Sequence, residues 1–183
     1  MQSDDFDSYA DLDFDAIWTD RSRCFGEFIS QEKNYRSKAL KQADVLEMIM
    51  LFPKEFTDKQ LAVNYDYYEP ITTHDSSLSA AVHGILAAHM GRMDEAESFL
   101  NKVIDIDLSP EKRGGEEGIH IANCGGLWQL IVYGFAGLKS AMWEENVELR
   151  PHLPETWQRL EIPLMWHGEK KRIVVTQEGY TIN

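Results

Sequence analysis

The sequence predicts a mainly α-helical chain that ends in a small antiparallel β-sheet. Through the middle of the chain, apolar residues recur every three or four positions, which is the spacing of amphipathic helices. After residue 140 the pattern changes to short, partly alternating runs separated by turn residues, as in strands. Of the 183 residues, 43% are hydrophobic, enough to build a core. We therefore expect a helical part over residues 1–139 and a β-sheet part over residues 140–183.

Residues 1–36 are expected to form an irregular lead-in. Seven aspartates lie between Asp4 and Asp20 without a lysine or arginine among them, and they supply much of the net charge of −13. Such an acidic chain is unsuited to general binding of nucleic acids or anionic membranes, which need cationic surfaces. A local anion site remains compatible with it. The aromatic residues of the lead-in should pack onto a larger body: Phe6, Tyr9, Phe14, Trp18, Phe25 and Phe28.

Four helices are predicted between the lead-in and residue 108. Their apolar residues share one helical face, and their ends are marked by an N-cap residue such as Thr57, by prolines or by a glycine, Gly91. A short connection joins the third and fourth helices, which should form an antiparallel pair. The predicted ranges are residues 37–53, 56–70, 76–91 and 92–108.

A fifth helix is predicted after a charged, glycine-rich loop. Its segment, GGLWQLIVYGFAGL at residues 125–138, is apolar on nearly every face and should be buried all round. Five helices of this kind do not close an obvious bundle. The pattern therefore indicates that the chain is part of a larger domain or assembly.

The tail is predicted to be a small antiparallel sheet. Its candidate strands are NVELRP, RLEIPLMWHG, KKRIVVTQ and GYTI, with tight turns at residues 167–170 and 178–179. Proline cannot donate to a strand ladder, so the strand that contains Pro163 should lie at an edge or a bulge.

The stretch TTHDSSLS, residues 72–79, places a histidine and three serines at a predicted helix start. Ser76 or Ser77 would act as the N-cap, and Asp75 would favour the positive end of the helix dipole. The stretch is therefore either a heavily capped helix or an anion site, in which backbone N–H groups and serine hydroxyls surround an oxyanion.

A second polar cluster is EEGIHIANCGGLWQ, residues 116–129. His120 and Asn123 supply donors, and Gly125-Gly126 would let the backbone turn sharply and approach a ligand before the helix begins. A packing glycine pair and a core histidine fit the same pattern. Together with residues 72–79, however, it forms a pair of donor-rich helix starts, each with a histidine, and such a pair favours a phosphate pocket.

A third cluster, Lys41-Gln42, begins the first predicted helix. It is either an ordinary surface pair or a pair of donors to sugar hydroxyls. No metal or cofactor site is indicated, because His83 and His89 are six residues apart and Cys124 has no second thiol nearby. No apolar run could span a membrane, no signal peptide is recognisable, and the two cysteines lie far apart, so we expect a reduced, cytoplasmic setting.

Four motifs together make the chain resemble glycoside hydrolase family 65, the maltose, trehalose and kojibiose phosphorylases. They occur in the order and at the separations of that family. FDSYADLDFD, residues 6–15, extends the resemblance over nearly the whole chain, but only to the C-terminal part of a family member. The motifs are KQADVL at residues 41–46, YYEPITTHDSSLS at 67–79, EEGIHIANCGGLWQ at 116–129 and RPHLPETWQRLEI at 150–162.

The resemblance implies the later helices of an incomplete (α/α)6 barrel followed by a C-terminal β-sheet domain. It also implies inverting phosphorolysis of an α-glucosidic disaccharide to β-glucose 1-phosphate and a free sugar, with inorganic phosphate as co-substrate and no cofactor. By motif, Lys41 and Gln42 would hold the glucosyl unit. The phosphate would be held by Ser76, Ser77 and His120, with Gly125 and Gly126 shaping the loop.

The family's general acid is a glutamate in a GPDE-type motif, which this chain lacks, so no catalytic residue is assigned within it. We expect the chain to be inactive alone, to act with a missing N-terminal part, and to form a homodimer as family members commonly do. Two alternatives stay open. One is part of a related α-glucoside hydrolase that uses water instead of phosphate, and the other is a non-catalytic truncated fragment or assembly partner.

Overall fold

A computed structural model describes residues 4–109, 118–140 and 143–183. Within these residues, helices come first and a small antiparallel sheet comes last, which confirms the predicted class. The α-helices are α1 (Asp4–Asp7), α2 (Phe14–Ile17), α3 (Gln31–Tyr35), α4 (Asp44–Leu51), α5 (Asp58–Tyr68), α6 (Ser79–His89), α7 (Met93–Leu108) and α8 (Ile121–Gln129). The strands are β1 (Arg159–Trp166), β2 (Glu169–Thr176) and β3 (Gly179–Ile182).

The lead-in contains more regular structure than its composition predicts. Helices α1 to α3 and a 3-10 turn at Phe25–Glu27 lie in the segment that was expected to be irregular. Side-chain N-caps begin α2 and α3, and such caps can start helical turns in a polar segment. Phe25 is fully buried, with the rings of Phe14 and Trp18 centred 5.1 and 5.4 Å from its own. The expected packing of aromatic residues is confirmed for this cluster.

The start of α5 agrees with the prediction, whereas the starts of α4 and α8 differ from it. Helix α5 follows Thr57, whose side chain forms a reciprocal capping box with Gln60. Helix α4 begins at Asp44 rather than at residue 37, so Lys41-Gln42 precede it. Helix α8 begins at Ile121, so the glycine pair that was expected before the helix lies inside it.

Helix α6 lies in the main core, and all of its residues are buried. It is rich in alanine, which favours helix and leaves room for close neighbours. After a three-residue connection in which Gly91 has a φ of 74°, α7 returns along α6 as the predicted antiparallel partner. Gly84 allows the close approach, because a Cβ there would lie 3.0 Å from the Cβ of Phe99.

Helix α8 and the π-helical segment that continues it, Leu130–Phe135, run parallel to α6. Gly126 packs on Ala81, Leu130 packs on Gly84, and Gly134 packs on Ile85 and Ala88, so positions increase together along both helices. Helices α6 and α8 therefore begin at the same end of the core.

The expectation that residues 125–138 would be buried on every side is wrong for the first half of that segment. Trp128 is 46% exposed, and Ile121 at the start of α8 is 80% exposed. In the π-helical segment, by contrast, Leu130, Val132 and Phe135 are buried. One face of α8 is thus open to solvent while its continuation lies in the core.

The strands form an antiparallel meander in the order β1-β2-β3. Pro163 lies in β1, an edge strand, as its missing N–H group requires. His167 and Gly168 form the predicted first turn, both with positive φ. The second turn lies one residue earlier than predicted, at residues 177–178. NVELRP was predicted to be a strand, but it contributes only an isolated bridge between Leu149 and Leu138.

The sheet has a second core that meets the end of the π-helical segment. Ile162, Ile173 and Val175 of the sheet pack in one buried cluster with Val132 and Ala136. The junction passes through Gly137, whose φ is 68° and whose position leaves no room for a side chain. A Cβ there would lie 1.8 Å from the carbonyl oxygen of Arg150.

Candidate functional site

The polar clusters of the sequence lie at the end of the core where α6 and α8 begin. Leu40 forms a short parallel bridge with the segment before α6. Its N–H group donates to the Ile71 carbonyl at 2.8 Å, and its own carbonyl accepts from the Thr73 N–H group at 2.8 Å. This bridge places the segment that contains Lys41-Gln42 beside the segment that leads into α6.

The serines before α6 form a turn and do not cap the helix. Helix α6 begins at Ser79, with Leu78 at the N-cap position and no side-chain cap, so the prediction that Ser76 or Ser77 is the N-cap is wrong. The Ser76 hydroxyl accepts the Leu78 N–H group at 3.2 Å. The half-buried Ser77 hydroxyl makes no hydrogen bond with the described residues. The N–H groups of the first turn of α6 therefore lack a side-chain acceptor.

Asp75 ties this turn to the lead-in. Its two carboxylate oxygens accept the N–H groups of Phe25 and Gly26, each at 2.8 Å. The carboxylate therefore binds the 3-10 turn at Phe25–Glu27 and is not the predicted partner of the α6 dipole. Through Asp75, the aromatic cluster around the buried Phe25 anchors the turn that carries Ser76.

The buried His83 and the partly buried His74 form a pair behind the serine turn. Their ring centres lie 4.6 Å apart, and His74 has a φ of 56°, which is rare for a residue other than glycine. The Ser79 hydroxyl donates to the Ser76 carbonyl at 3.2 Å, so the His74 Nδ1–H group, 3.0 Å away, donates to Ser79 Oγ. Burial lowers the pKa of His74 to about 3 and that of His83 to about 4, and both rings are neutral near pH 7. These two rings therefore add no positive charge to the start of α6 near pH 7.

His120 is the N-cap residue of α8 and is held by Asp107, in the last turn of α7. Asp107 Oδ1 accepts the His120 backbone N–H group at 2.9 Å and lies 2.9 Å from His120 Nδ1. Oδ2 accepts from the Asn123 side-chain amide at 3.1 Å, with Cys124 Sγ 3.9 Å away. The donors on His120 and Asn123 hold the pKa of Asp107 below its usual value, so Asp107 is a carboxylate at neutral pH.

The two glycines of α8 have different surroundings. A Cβ on Gly126 would lie 2.9 Å from the Cβ of Ala81, whereas a Cβ on Gly125 would have no atom within 4 Å. Gly126 therefore sets how closely α8 approaches α6, and so how close together the two helices begin. The prediction that both glycines shape a loop before the helix is wrong, because both lie within α8.

Lys41 and Gln42 are exposed in the turn before α4. Neither side chain makes a hydrogen bond with the described residues.

The residues at this end of the core form a set of hydrogen-bond donors. Two helix N-termini without side-chain caps, the serine turn, His120 and the exposed lysine–glutamine pair suit an anion next to a hydroxyl-rich molecule. In the part of the chain that the structure describes, no group of His, Cys, Asp and Glu side chains could hold a metal ion. None of the helices described is long and apolar enough to cross a membrane.

Sequence reasoning did not single out Asp107. Its position carries a signal, because an acidic side chain in the last turn of a helix opposes the helix dipole. That cost is offset if the carboxylate contacts the positive N-terminus of another helix, as Asp107 does at α8.

Comparison with known proteins gives two family matches. The family model described as "Glycosyl hydrolase family 65 central catalytic domain" matches residues 1–129. The model described as "Glycosyl hydrolase family 65, C-terminal domain" matches residues 141–183. A solved structure, named provisionally as a kojibiose phosphorylase from the human microbiome, superposes with a TM-score of 0.87 and 31% identity. It matches 100% of this chain, which covers 25% of that one.

Curated relatives carry the names of several phosphorylases. The kojibiose phosphorylase of Halothermothrix orenii is 38% identical over 80% of this chain and 19% of that protein. The alpha,alpha-trehalose phosphorylase of Thermoanaerobacter brockii is 38% identical over 79% of this chain and 18% of that protein. The maltose phosphorylase of Bacillus subtilis is 36% identical over 81% of this chain and 19% of that protein. The chain thus spans about a fifth of the length of these relatives.

Proposed function

The chain belongs to glycosyl hydrolase family 65, and from this premise we propose that it is the phosphate-binding C-terminal portion of an inverting glycoside phosphorylase. The proposed reaction converts an α-linked glucose disaccharide and inorganic phosphate into β-glucose 1-phosphate and a free sugar. The helices would form the later part of an (α/α)6 barrel, in a cytoplasmic enzyme that assembles as a homodimer.

The observation that carries this proposal is the parallel arrangement of α6 and α8. Because both helices begin at one end of the core, the positive ends of their dipoles face the same region. The first-turn N–H groups there lack side-chain caps, and hydroxyl and imidazole donors lie alongside. An oxyanion of phosphate size is the ligand that this arrangement favours.

Within the proposal, Ser76, Ser77 and His120 bind phosphate, and Lys41 and Gln42 bind the glucosyl unit. The five side chains come from three segments that the Leu40 bridge and the α6–α8 contact hold together. The general acid that protonates the leaving oxygen would come from the remainder of the enzyme, so the chain alone is expected to bind phosphate without catalysing phosphorolysis.

Activation of water is the competing chemistry, because a hydrolase needs a carboxylate base in place of the phosphate. Among the described residues, the carboxylate that contacts the start of α8 is that of Asp107, and donors on His120 and Asn123 already occupy its oxygens. Its lowered pKa makes it a weak base. These contacts support phosphate rather than activated water as the nucleophile.

Phosphate binding is tested on the 183-residue chain by titrating inorganic phosphate at constant ionic strength and following backbone amide NMR shifts. We expect the largest shifts at residues 76–80 and 120–123 and negligible shifts in β1 to β3, which serve as the internal control. His120→Ala should weaken the binding. Shifts that are absent, or spread evenly over the surface, would contradict a phosphate site at these helix starts.

The reaction is tested in a chimera in which this chain replaces the matching fifth of the Halothermothrix orenii kojibiose phosphorylase. Sugar release from a panel of glucose disaccharides is measured with and without phosphate. We expect release that depends on phosphate and yields glucose 1-phosphate in equal amount. Sugar release that ignores phosphate would favour the hydrolase instead.

A further inference from the structure

We propose that Asp107 is a positioning residue, which fixes the ring of His120 and the start of α8 so that the imidazole faces the bound anion. The inference rests on the proposed phosphate-binding role of His120 and goes beyond it by naming the group that orients this side chain. In this proposal Asp107 itself does not contact either substrate.

The geometry restricts both the orientation and the tautomer of the His120 ring. One carboxylate oxygen, Oδ1, accepts from the backbone N–H group of His120 and also contacts its Nδ1 atom, each at 2.9 Å. Two contacts from one oxygen close a small ring that limits rotation of the side chain. A carboxylate accepts only from a protonated nitrogen, so the neutral ring carries its proton on Nδ1, and protonation adds the second proton at Nε2. In the proposed complex, the doubly protonated ring donates from Nε2 to the anion.

Asp107 is itself held in place from the other side. Its side chain is only 13% exposed, and Oδ2 accepts from the Asn123 amide, which also donates to the Val103 carbonyl at 2.9 Å. The carboxylate thus joins the last turn of α7 to the first turn of α8. A purely capping role would need only the bond to the backbone N–H group, and it would leave the contact with the imidazole unexplained.

The test uses imidazole ¹⁵N NMR of the labelled 183-residue chain, with His120→Gln to assign the resonances. In the wild type we expect the neutral His120 ring to be protonated at Nδ1. Asp107→Ala should shift the ring to a mixture of tautomers, and Asp107→Asn, which keeps an acceptor oxygen, should restore Nδ1 protonation in part. An unchanged His120 tautomer in Asp107→Ala overturns the inference, and if that variant fails to fold, a neutral wild-type ring that is protonated at Nε2 does so.

A matched control separates positioning from loss of a helix cap. Thr57→Ala removes the capping box of α5, which lies in another helix, and should lower stability without altering the His120 spectrum. If Thr57→Ala changes the His120 tautomer as much as Asp107→Ala does, the effect follows stability and the inference fails.

Inorganic phosphate, titrated at constant ionic strength, separates this inference from the proposed function. We expect the His120 resonances to move in the wild type, with an apparent affinity several-fold weaker in Asp107→Ala. Equal affinities in the two proteins overturn the positioning role for phosphate and leave the phosphate site standing. If phosphate does not move the His120 resonances of the wild type, the proposed function is overturned, and with it the role of Asp107 in orienting His120 towards phosphate.

Discussion

Two adjacent glycines test whether a single close contact sets the spacing of α6 and α8. Both Gly125 and Gly126 lie inside α8, where alanine is favoured over glycine by about 1 kcal/mol. At Gly125 a methyl group would meet no atom within 4 Å. Gly125→Ala should therefore raise the free energy of unfolding by up to about 1 kcal/mol.

Gly126→Ala gains the same helix propensity, but its Cβ would lie 2.9 Å from the Cβ of Ala81. Overpacking of this kind costs about 1–3 kcal/mol, so the net change should be a loss of about 0–2 kcal/mol. The two variants should thus differ by about 1–3 kcal/mol. Ala81→Gly in the Gly126→Ala background removes the opposing methyl group and should show a favourable coupling energy of similar size.

Urea denaturation followed by circular dichroism measures these free energies, with similar m-values required for the comparison. Equal stabilities of Gly125→Ala and Gly126→Ala would refute the argument, because the two variants differ chiefly in the Ala81 contact. A coupling energy near zero between positions 81 and 126 would refute it independently. In the phosphate titration, only Gly126→Ala should also weaken binding, since it separates the two helix starts.

Three further predictions concern the junction at Gly137, the buried His83 and the serine turn. Gly137→Ala should lower the free energy of unfolding by more than about 3 kcal/mol, because its Cβ would overlap a backbone carbonyl. Gly168 also has a positive φ but lies in open space, so Gly168→Ala should cost only about 1–2 kcal/mol. Urea denaturation measures both changes. The pKa of His83 is about 4 when folded and 6.5 when unfolded, so the unfolded state binds more protons below pH 6.5. Stability should fall by roughly 3 kcal/mol from this ring as the pH drops to about 4. His83→Gln should flatten that slope in urea denaturation, and an equal slope would contradict the assignment. Ser76→Ala combined with Ser77→Ala should raise the phosphate KM of the chimera more than its disaccharide KM, and an unchanged phosphate KM would count against the serine turn as a phosphate site.

The helices that were predicted well are those whose ends depend on local chemistry. Thr57 forms its capping box within four residues, and Gly91 adopts the left-handed conformation that a helix C-terminus favours. The start of α4 was wrong because a non-local contact competes with helix formation. Leu40 pairs with the segment around Thr73, and this bridge holds the residues before Asp44 out of the helix.

The motifs predicted which segments form the candidate site, but the contacts of several residues there cannot be read from the sequence. Asp75 was assigned to its own helix, yet it binds a turn 49 and 50 residues earlier in the chain. Gly126 was assigned to a loop, and only the approach of Ala81 shows why a glycine is needed there. Asp107 required knowledge of which helix start lies next to the end of α7.

The π-helical segment after α8 determines which residues reach α6. Gly126, Leu130 and Gly134 all contact α6 and are spaced four residues apart. In an α-helix each such step overshoots a full turn by about 40°, so a stripe of this kind drifts around the helix. The π-helical turn at Leu130–Phe135 has a hydrogen bond from the Ala136 N–H group to the Ile131 carbonyl and contains more residues per turn than an α-helix. A four-residue step there covers less than a full turn, which reverses the drift of the stripe. Deleting one residue from this segment would restore the α-helical pitch and rotate Gly134 out of line, and with it the chain that leads into the sheet.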